Sequence, residues 1–158
     1  MQNDSSMTEI LSSYIGMKAA AQNRTLINRD RILDALKQLD ITRVVIAYSG
    51  SGDSGQIDEV SLYRGNEFVE VQTELTMQTY KSRWDADLSK WIEYSADESY
   101  ILPEALQNFV YDWIESEYAG WENNDGASGE CTIEVSTNEF KLNHITYYTE
   151  SESEWHTL

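Results

Sequence analysis

Two short segments concentrate the residue types that can do chemistry. They are Gly50-Ser51-Gly52-Asp53-Ser54-Gly55-Gln56-Ile57-Asp58-Glu59 and Gly120-Trp121-Glu122-Asn123-Asn124-Asp125-Gly126-Ala127-Ser128-Gly129-Glu130. Glycines there permit positive φ and close backbone approach, while short polar side chains bond to nearby amides. Loops of this kind carry function when a rigid scaffold holds them. The candidate ligand site is therefore Asp53, Ser54, Asp58, Glu122, Asn123, Asn124 and Asp125, with His144 entering from a following strand. A carboxylate beside His144 would raise its pKa and make it a general base. Two plainer readings stay open: self-capped turns at one end of a sheet, and a hydrogen-bonded packing role for His144, which shares strand parity with Phe140 and Leu142.

The motifs that would name a reaction are incomplete. Gly52-Asp53-Ser54-Gly55 has the local form of a serine-protease nucleophile segment, but His144 and His156 both follow the serine, the reverse of the chymotrypsin order. The first loop lacks the Lys-Ser/Thr ending of a phosphate-binding loop. Its oxygen donors suit a hard cation, yet neither loop has the alternate-position pattern of an EF-hand. No catalytic residue, metal ligand set or cofactor is assigned on these grounds.

The elements that must position the loops are readable from periodicity. A helix is expected from Thr8 to about Gln22 and a second from Asn28 to Leu39. In the second, Asn28 is the N-cap, Ile32, Leu33, Leu36 and Leu39 form one face, and Arg29, Arg31, Asp34 and Lys37 point outward. Ile41–Tyr48 reads as a strand buried on both faces, Ser49–Gly55 as a break, and Gln56–Tyr63 and Glu67–Val71 as two further strands of an antiparallel meander. Residues 72–101 are hardest to read; Trp84, Leu88, Trp91 and Ile92 suggest a short amphipathic helix. A helix should open at Pro103, present Leu106, Phe109, Val110, Trp113 and Ile114 to the core, and end near Ala119-Gly120. Cys131–Val135 and Phe140–Thr149 form a hairpin around Thr137-Asn138-Glu139. The fold class expected is α+β: an antiparallel sheet, meander plus C-terminal hairpin, with helices packed mainly on one face. Residues 1–158 are expected as a single domain, with 1–7 and 150–158 loose.

Composition sets the outer limits. Five Trp and ten Tyr among 158 residues argue against disorder. One cysteine, Cys131, excludes an internal disulfide and a cysteine zinc cluster. No apolar run approaches the ~20 residues of a membrane span, and Met1-Gln2-Asn3-Asp4 has no signal-peptide character, so a cytoplasmic location is expected. The formal net charge is −17 and unevenly placed: residues 91–158 hold fifteen Asp/Glu and a single basic residue, Lys141. Such a field repels nucleic acid and anionic membrane and attracts basic protein surfaces.

The segments Tyr48–Asp58 and Gly120–Gly129, followed by His144 and Tyr147-Tyr148, resemble an uncharacterised domain family of bacteria and their phages whose function is unknown. The resemblance covers most of residues 27–149. It implies a compact α+β domain and brings no activity.

The function expected is therefore a non-catalytic acidic binding protein that engages a basic surface of another protein. Its concrete form is an inhibitor of a nucleic-acid-binding defence enzyme (anti-restriction or anti-CRISPR) in which carboxylates stand where phosphates would. Asp112, Glu115, Glu117, Glu130 and Glu134 are the partner-binding candidates, on one continuous negative surface. The first alternative is a metal-dependent enzyme or small-ligand binder built on the two loops. The second is an antitoxin or immunity partner.

Overall fold

No proline interrupts residues 3–38, and they form one helix where two are expected. The computed structural model describes residues 3–158, with side chains from residue 6 onward. The elements are α1 (Asn3–Gln38), β1 (Arg43–Gly52), β2 (Ser54–Arg64), β3 (Glu67–Val69), β4 (Glu74–Asp85), β5 (Lys90–Ile101), α2 (Leu102–Glu117), β6 (Asn124–Glu134) and β7 (Glu139–Thr146). Helix α1 already covers Asn3 to Met7, part of the segment expected to be loose; residues 1 and 2 lie outside the described residues. Residues 147–158 carry no regular structure and are exposed.

The chain forms two compact units. The first runs through Asp40 and resumes at residues 71–109; the second takes residues 41–70 and 110–158.

In the first unit, α1 lies along the antiparallel hairpin of β4 and β5. Asn28 is 5% exposed and is not an N-cap. Its side-chain amide donates to the Gln78 carbonyl at 2.9 Å, and its carbonyl accepts from the Gln78 N–H at 2.8 Å. One side chain thus satisfies both polar groups of a strand residue that a half-paired ribbon would leave open. Arg24 and Arg31 stand one turn either side of it. Arg24 donates to Ser95 Oγ at 3.2 Å, and Arg31 donates to Asp97 at 2.9 Å and to the Thr76 carbonyl at 3.3 Å. Arg31 therefore faces the hairpin and not solvent, contrary to its expected outward position. The same docking removes the helix break: the polar residues that read as a cap and a solvated face are the hairpin's partners.

The amphipathic helix expected through Trp84–Ile92 is β-structure. Trp84 and Trp91 are cross-strand partners with ring centroids 5.8 Å apart, and Asp85 accepts from the Asp87 and Leu88 amides to close the turn. Their helical spacing is the arithmetic of a four-residue turn between paired tryptophans. Ile32, Leu36, Met77, Leu102, Leu106 and Phe109 are buried in this unit.

The second unit is a five-stranded antiparallel sheet in the order β3-β2-β1-β6-β7. The meander and the C-terminal hairpin are both present and are joined through the β1–β6 pair. Burial alternates along β1, with Val44, Ile46 and Tyr48 inside and Arg43 exposed. The run Val44-Val45-Ile46 is therefore buried on one face only, not two. Leu62, Cys131 and Ile133 share the covered face, and Val110, Ile114 and Trp121 complete the unit's core. Trp113, expected in the core beside Leu106 and Phe109, is only half-buried. The architecture is α+β, as expected.

Candidate functional site

Most of the two glycine-rich segments is paired strand and not loop, while residues 120–123 turn into β6. Ser51 and Ser54 face each other across a two-residue turn, Gly52-Asp53, in which Gly52 has φ 69°. A glycine at the first central position suits the tight turns that match strand twist. β1 also pairs with β6: Tyr48 with Gly129, Gly50 with Ala127, and Gly52 with Asn124. The two segments thus run side by side to the same end of the sheet. Strand propensity works against both, because Gly, Ser, Asn and Asp are poor strand formers. Trp121 supplies the compensating packing. Its indole lies over Gly50 and Gly55, where any Cβ would overlap the ring.

On the covered face, Tyr48, Gly129 and His144 form one row across three strands. Gly129 has no side chain, and a Cβ there would overlap the Tyr48 hydroxyl and the Asn143 carbonyl. The Tyr48 ring therefore crosses it and reaches His144, with Oη to Nδ1 2.7 Å. Tyr118 stacks on His144 with centroids 3.8 Å apart and planes 12° apart, and Trp121 meets Tyr48 edge-on at 5.4 Å. The indole N–H of Trp121 donates to Glu115 at 3.1 Å.

Burial, chiefly, and then the neighbouring Tyr118 and Cys131 push the Tyr48 phenol up to about 12. Burial lowers the His144 pKa below its usual value. With both groups neutral, a bond donated by the phenol leaves the ring proton of His144 on Nε2, and one donated by the ring leaves it on Nδ1. This is the opposite of a histidine raised by a carboxylate, and it describes a packed polar pair. Burial first, then Glu130, push the Cys131 thiol up to about 12, so it is an inert core residue.

The far end of the sheet carries a shallow groove of about 460 Å³ lined by residues of both segments and Tyr147. Hydroxyls dominate it: Ser49, Ser51, Ser54 and Ser128, with Ser128 Oγ 2.7 Å from Tyr147 Oη. Asp125 accepts from the Thr149 hydroxyl at 2.5 Å, and the Tyr147 amide donates to the Gly126 carbonyl at 3.0 Å.

Of the loop residues named from sequence, Ser54 and Asp125 line this groove together, and its lining includes none of the others. Asp53 and Ser54 sit exposed at the hairpin tip. Asp58 occupies a bulge opposite Ala47 and Tyr48 and accepts from Gln56 at 2.9 Å. Asn123 and Asn124 form the turn into β6, and Glu122 keeps one buried carboxylate oxygen without a hydrogen-bond partner. His144 lies on the covered face with Tyr48. Among the described residues, no three His, Cys, Asp or Glu side chains stand close enough to hold a metal ion.

The five partner-binding candidates fall into two groups. Asp112, Glu115 and Glu117 lie on α2, and Glu115 is tied to Trp121 above the covered face. Glu130 and Glu134 alternate with the buried Cys131 and Ile133, so they point from the open face. Register adds two residues that sequence reasoning missed. Glu59 and Glu130 are the neighbours of Ala47 on either side, and Glu139 stands opposite Glu134. Strand parity carried that signal, but only once β1 was known to pair with β6. The second unit holds sixteen Asp/Glu against three Lys/Arg. Of those three, Lys141 pairs with Glu139 at 2.9 Å and Arg43 lies over the Tyr63 ring at 4.8 Å.

No helix among the described residues is long and apolar enough to cross a membrane. No curated protein and no solved structure matches the chain. A family model does match residues 25–158, and by that match, which includes both glycine-rich strands and the His144 strand, the chain belongs to DUF6878, a family of unknown function.

Proposed function

We propose that this protein is a non-catalytic binding module whose open sheet face takes up a basic surface of another protein. The observation that supports this reading is the placement of Glu59 and Glu130 on either side of Ala47. Both glutamates are exposed, and the small residue between them leaves a slot about 10 Å across, two strand spacings wide. A lysine or arginine entering over Ala47 meets a carboxylate on each side. Glu134 and Glu139 stand opposite each other two rows further along the same face, in a row they share with Arg43, and Lys141 occupies the row between. The net charge of −13 on this unit steers a basic partner and repels phosphates.

The concrete form of this reading is an inhibitor that covers the phosphate-binding surface of a nucleic-acid-handling enzyme. Its test is competition: purified nucleic-acid enzymes loaded with labelled duplex DNA are titrated with the protein at low and moderate salt. Displacement that weakens in Glu59→Gln/Glu130→Gln supports the reading, and no displacement from any enzyme removes its inhibitor form.

A further inference from the structure

The first half of α1 is apolar where a solvated helix should be polar. Met7, Ile10, Leu11, Tyr14 and Ile15 are each 54% to 65% exposed. With Met17 they present an apolar area on the order of 600 Å², at the top of the about 300–600 Å² that the largest patch on a monomer reaches. The patch continues into a groove that Ser13 and Met17 share with Leu88 and Trp91 of the β4–β5 hairpin, both also exposed. That extension brings it to the scale of the about 800 Å² each partner gives to a standard interface.

Two features indicate what covers it. Met7, Ile10, Tyr14, Met17 and Ala21 follow alternating spacings of three and four, the seam by which one helix packs along another of the same kind. Charge is the second. In a chain of net −17, residues 3–23 carry only Asp4, Glu9 and Lys18. Residues 3–23 thus sum to a net charge of only −1, so two copies meeting there face little repulsion. A lipid surface would instead select a segment rich in Lys and Arg beside its apolar face, and residues 3–23 have Lys18 as their one basic residue. The family match begins at residue 25, so this half-helix lies outside the matched segment.

We infer that the N-terminal half of α1 is a self-association element: two copies pair along the Met7–Met17 face about a two-fold axis. This goes beyond the proposed binding function and does not rest on it. The two-fold arrangement makes the interface isologous, so one substitution acts twice.

Sedimentation equilibrium of the full chain in 0.3 M salt, which suppresses charge repulsion, tests the inference. The expected mass is twice the 18.2 kDa of one chain at tens of micromolar. Ile10→Glu/Tyr14→Glu should sediment as a monomer with unchanged melting and a dissociation constant raised at least about 100-fold. A gain-of-signal variant guards against misfolding. Tyr14→Cys provides one accessible thiol, because Cys131 is fully buried. It should crosslink to a covalent dimer under mild oxidation, while Asp53→Cys stays monomeric. A wild-type chain monomeric throughout, or a double variant that still dimerises, overturns the inference. So does a monomer that moves onto neutral phosphatidylcholine vesicles, which would make the face a lipid contact.

Discussion

Tyr48 and His144 meet at 2.7 Å across a glycine, and that bond ties β1 to β7 over β6 as a packed polar pair on the covered face. The histidine is held neutral by burial. Its folded pKa lies below the unfolded value, so the unfolded chain takes up the proton first as pH falls. Stability from this site is complete above about pH 6.5 and declines as pH drops through the folded pKa. Because acid also relieves repulsion among the many carboxylates, the quantity to measure is a difference. Urea midpoints of wild type and His144→Gln at pH 7.5 and 5 should show the wild-type advantage shrinking in acid. An advantage that grows in acid would contradict this assignment.

Gly129 is the residue that permits the bond. Gly129→Ala should lower stability by about 1–3 kcal/mol through overpacking against Tyr48 and the Asn143 carbonyl. Gly52→Ala, at a turn where no atom lies near the added Cβ, isolates backbone strain from collision. Thermal melts of both, with the near-ultraviolet signal of Tyr48 and Trp121, separate the two effects: only Gly129→Ala should alter that signal.

Asn28 is the corresponding anchor of the first unit. Asn28→Ala leaves the Gln78 amide and carbonyl without their partner and should cost about 1–3 kcal/mol. Arg31→Ala breaks a more exposed ion pair with Asp97 and should cost under about 1 kcal/mol. Denaturant unfolding of both variants checks the order, and equal costs would show that the buried amide clamp contributes no more than a surface ion pair.

These anchors also mark where the sequence could and could not be read. The meander and the C-terminal hairpin are legible because Val44, Ile46, Leu62, Cys131 and Ile133 alternate and turn residues such as Gly65 and Asn138 adopt positive φ between them. The β4–β5 hairpin is not legible. Its tryptophans are exposed, and the contact that seats it, Asn28 with Gln78, spans fifty residues. The two glycine-rich segments are legible as a pair but not as strands, since only the fit of Trp121 over Gly50 and Gly55 offsets their poor strand propensity. The acidic bias was plain from residue counts, but its division between α2 and the open sheet face needed the register.

For the loop-site alternative, calorimetric titration with calcium, magnesium, manganese and zinc is informative in wild type, Asp53→Asn and Asp125→Asn. The geometry predicts no saturable heat, because Asp125 is engaged with Thr149 while Asp53 stands exposed at the hairpin turn. Saturable heat lost in both variants would transfer the function to the groove.

The most direct test of the acidic binding face is the salt dependence of capture by charge-neutral variants. Immobilised wild type, Glu59→Gln/Glu130→Gln and Asp112→Asn/Glu117→Asn are exposed to the same cell lysate at 50 and 300 mM salt, and any basic protein retained is purified and titrated against each. The predicted result is a partner whose affinity falls steeply with salt for wild type. That affinity should drop at least about tenfold in Glu59→Gln/Glu130→Gln and change little in Asp112→Asn/Glu117→Asn, which removes the same charge from α2. Equal losses in the two variants would mean that net charge alone is read, and undiminished binding by Glu59→Gln/Glu130→Gln would contradict the assignment of the open sheet face.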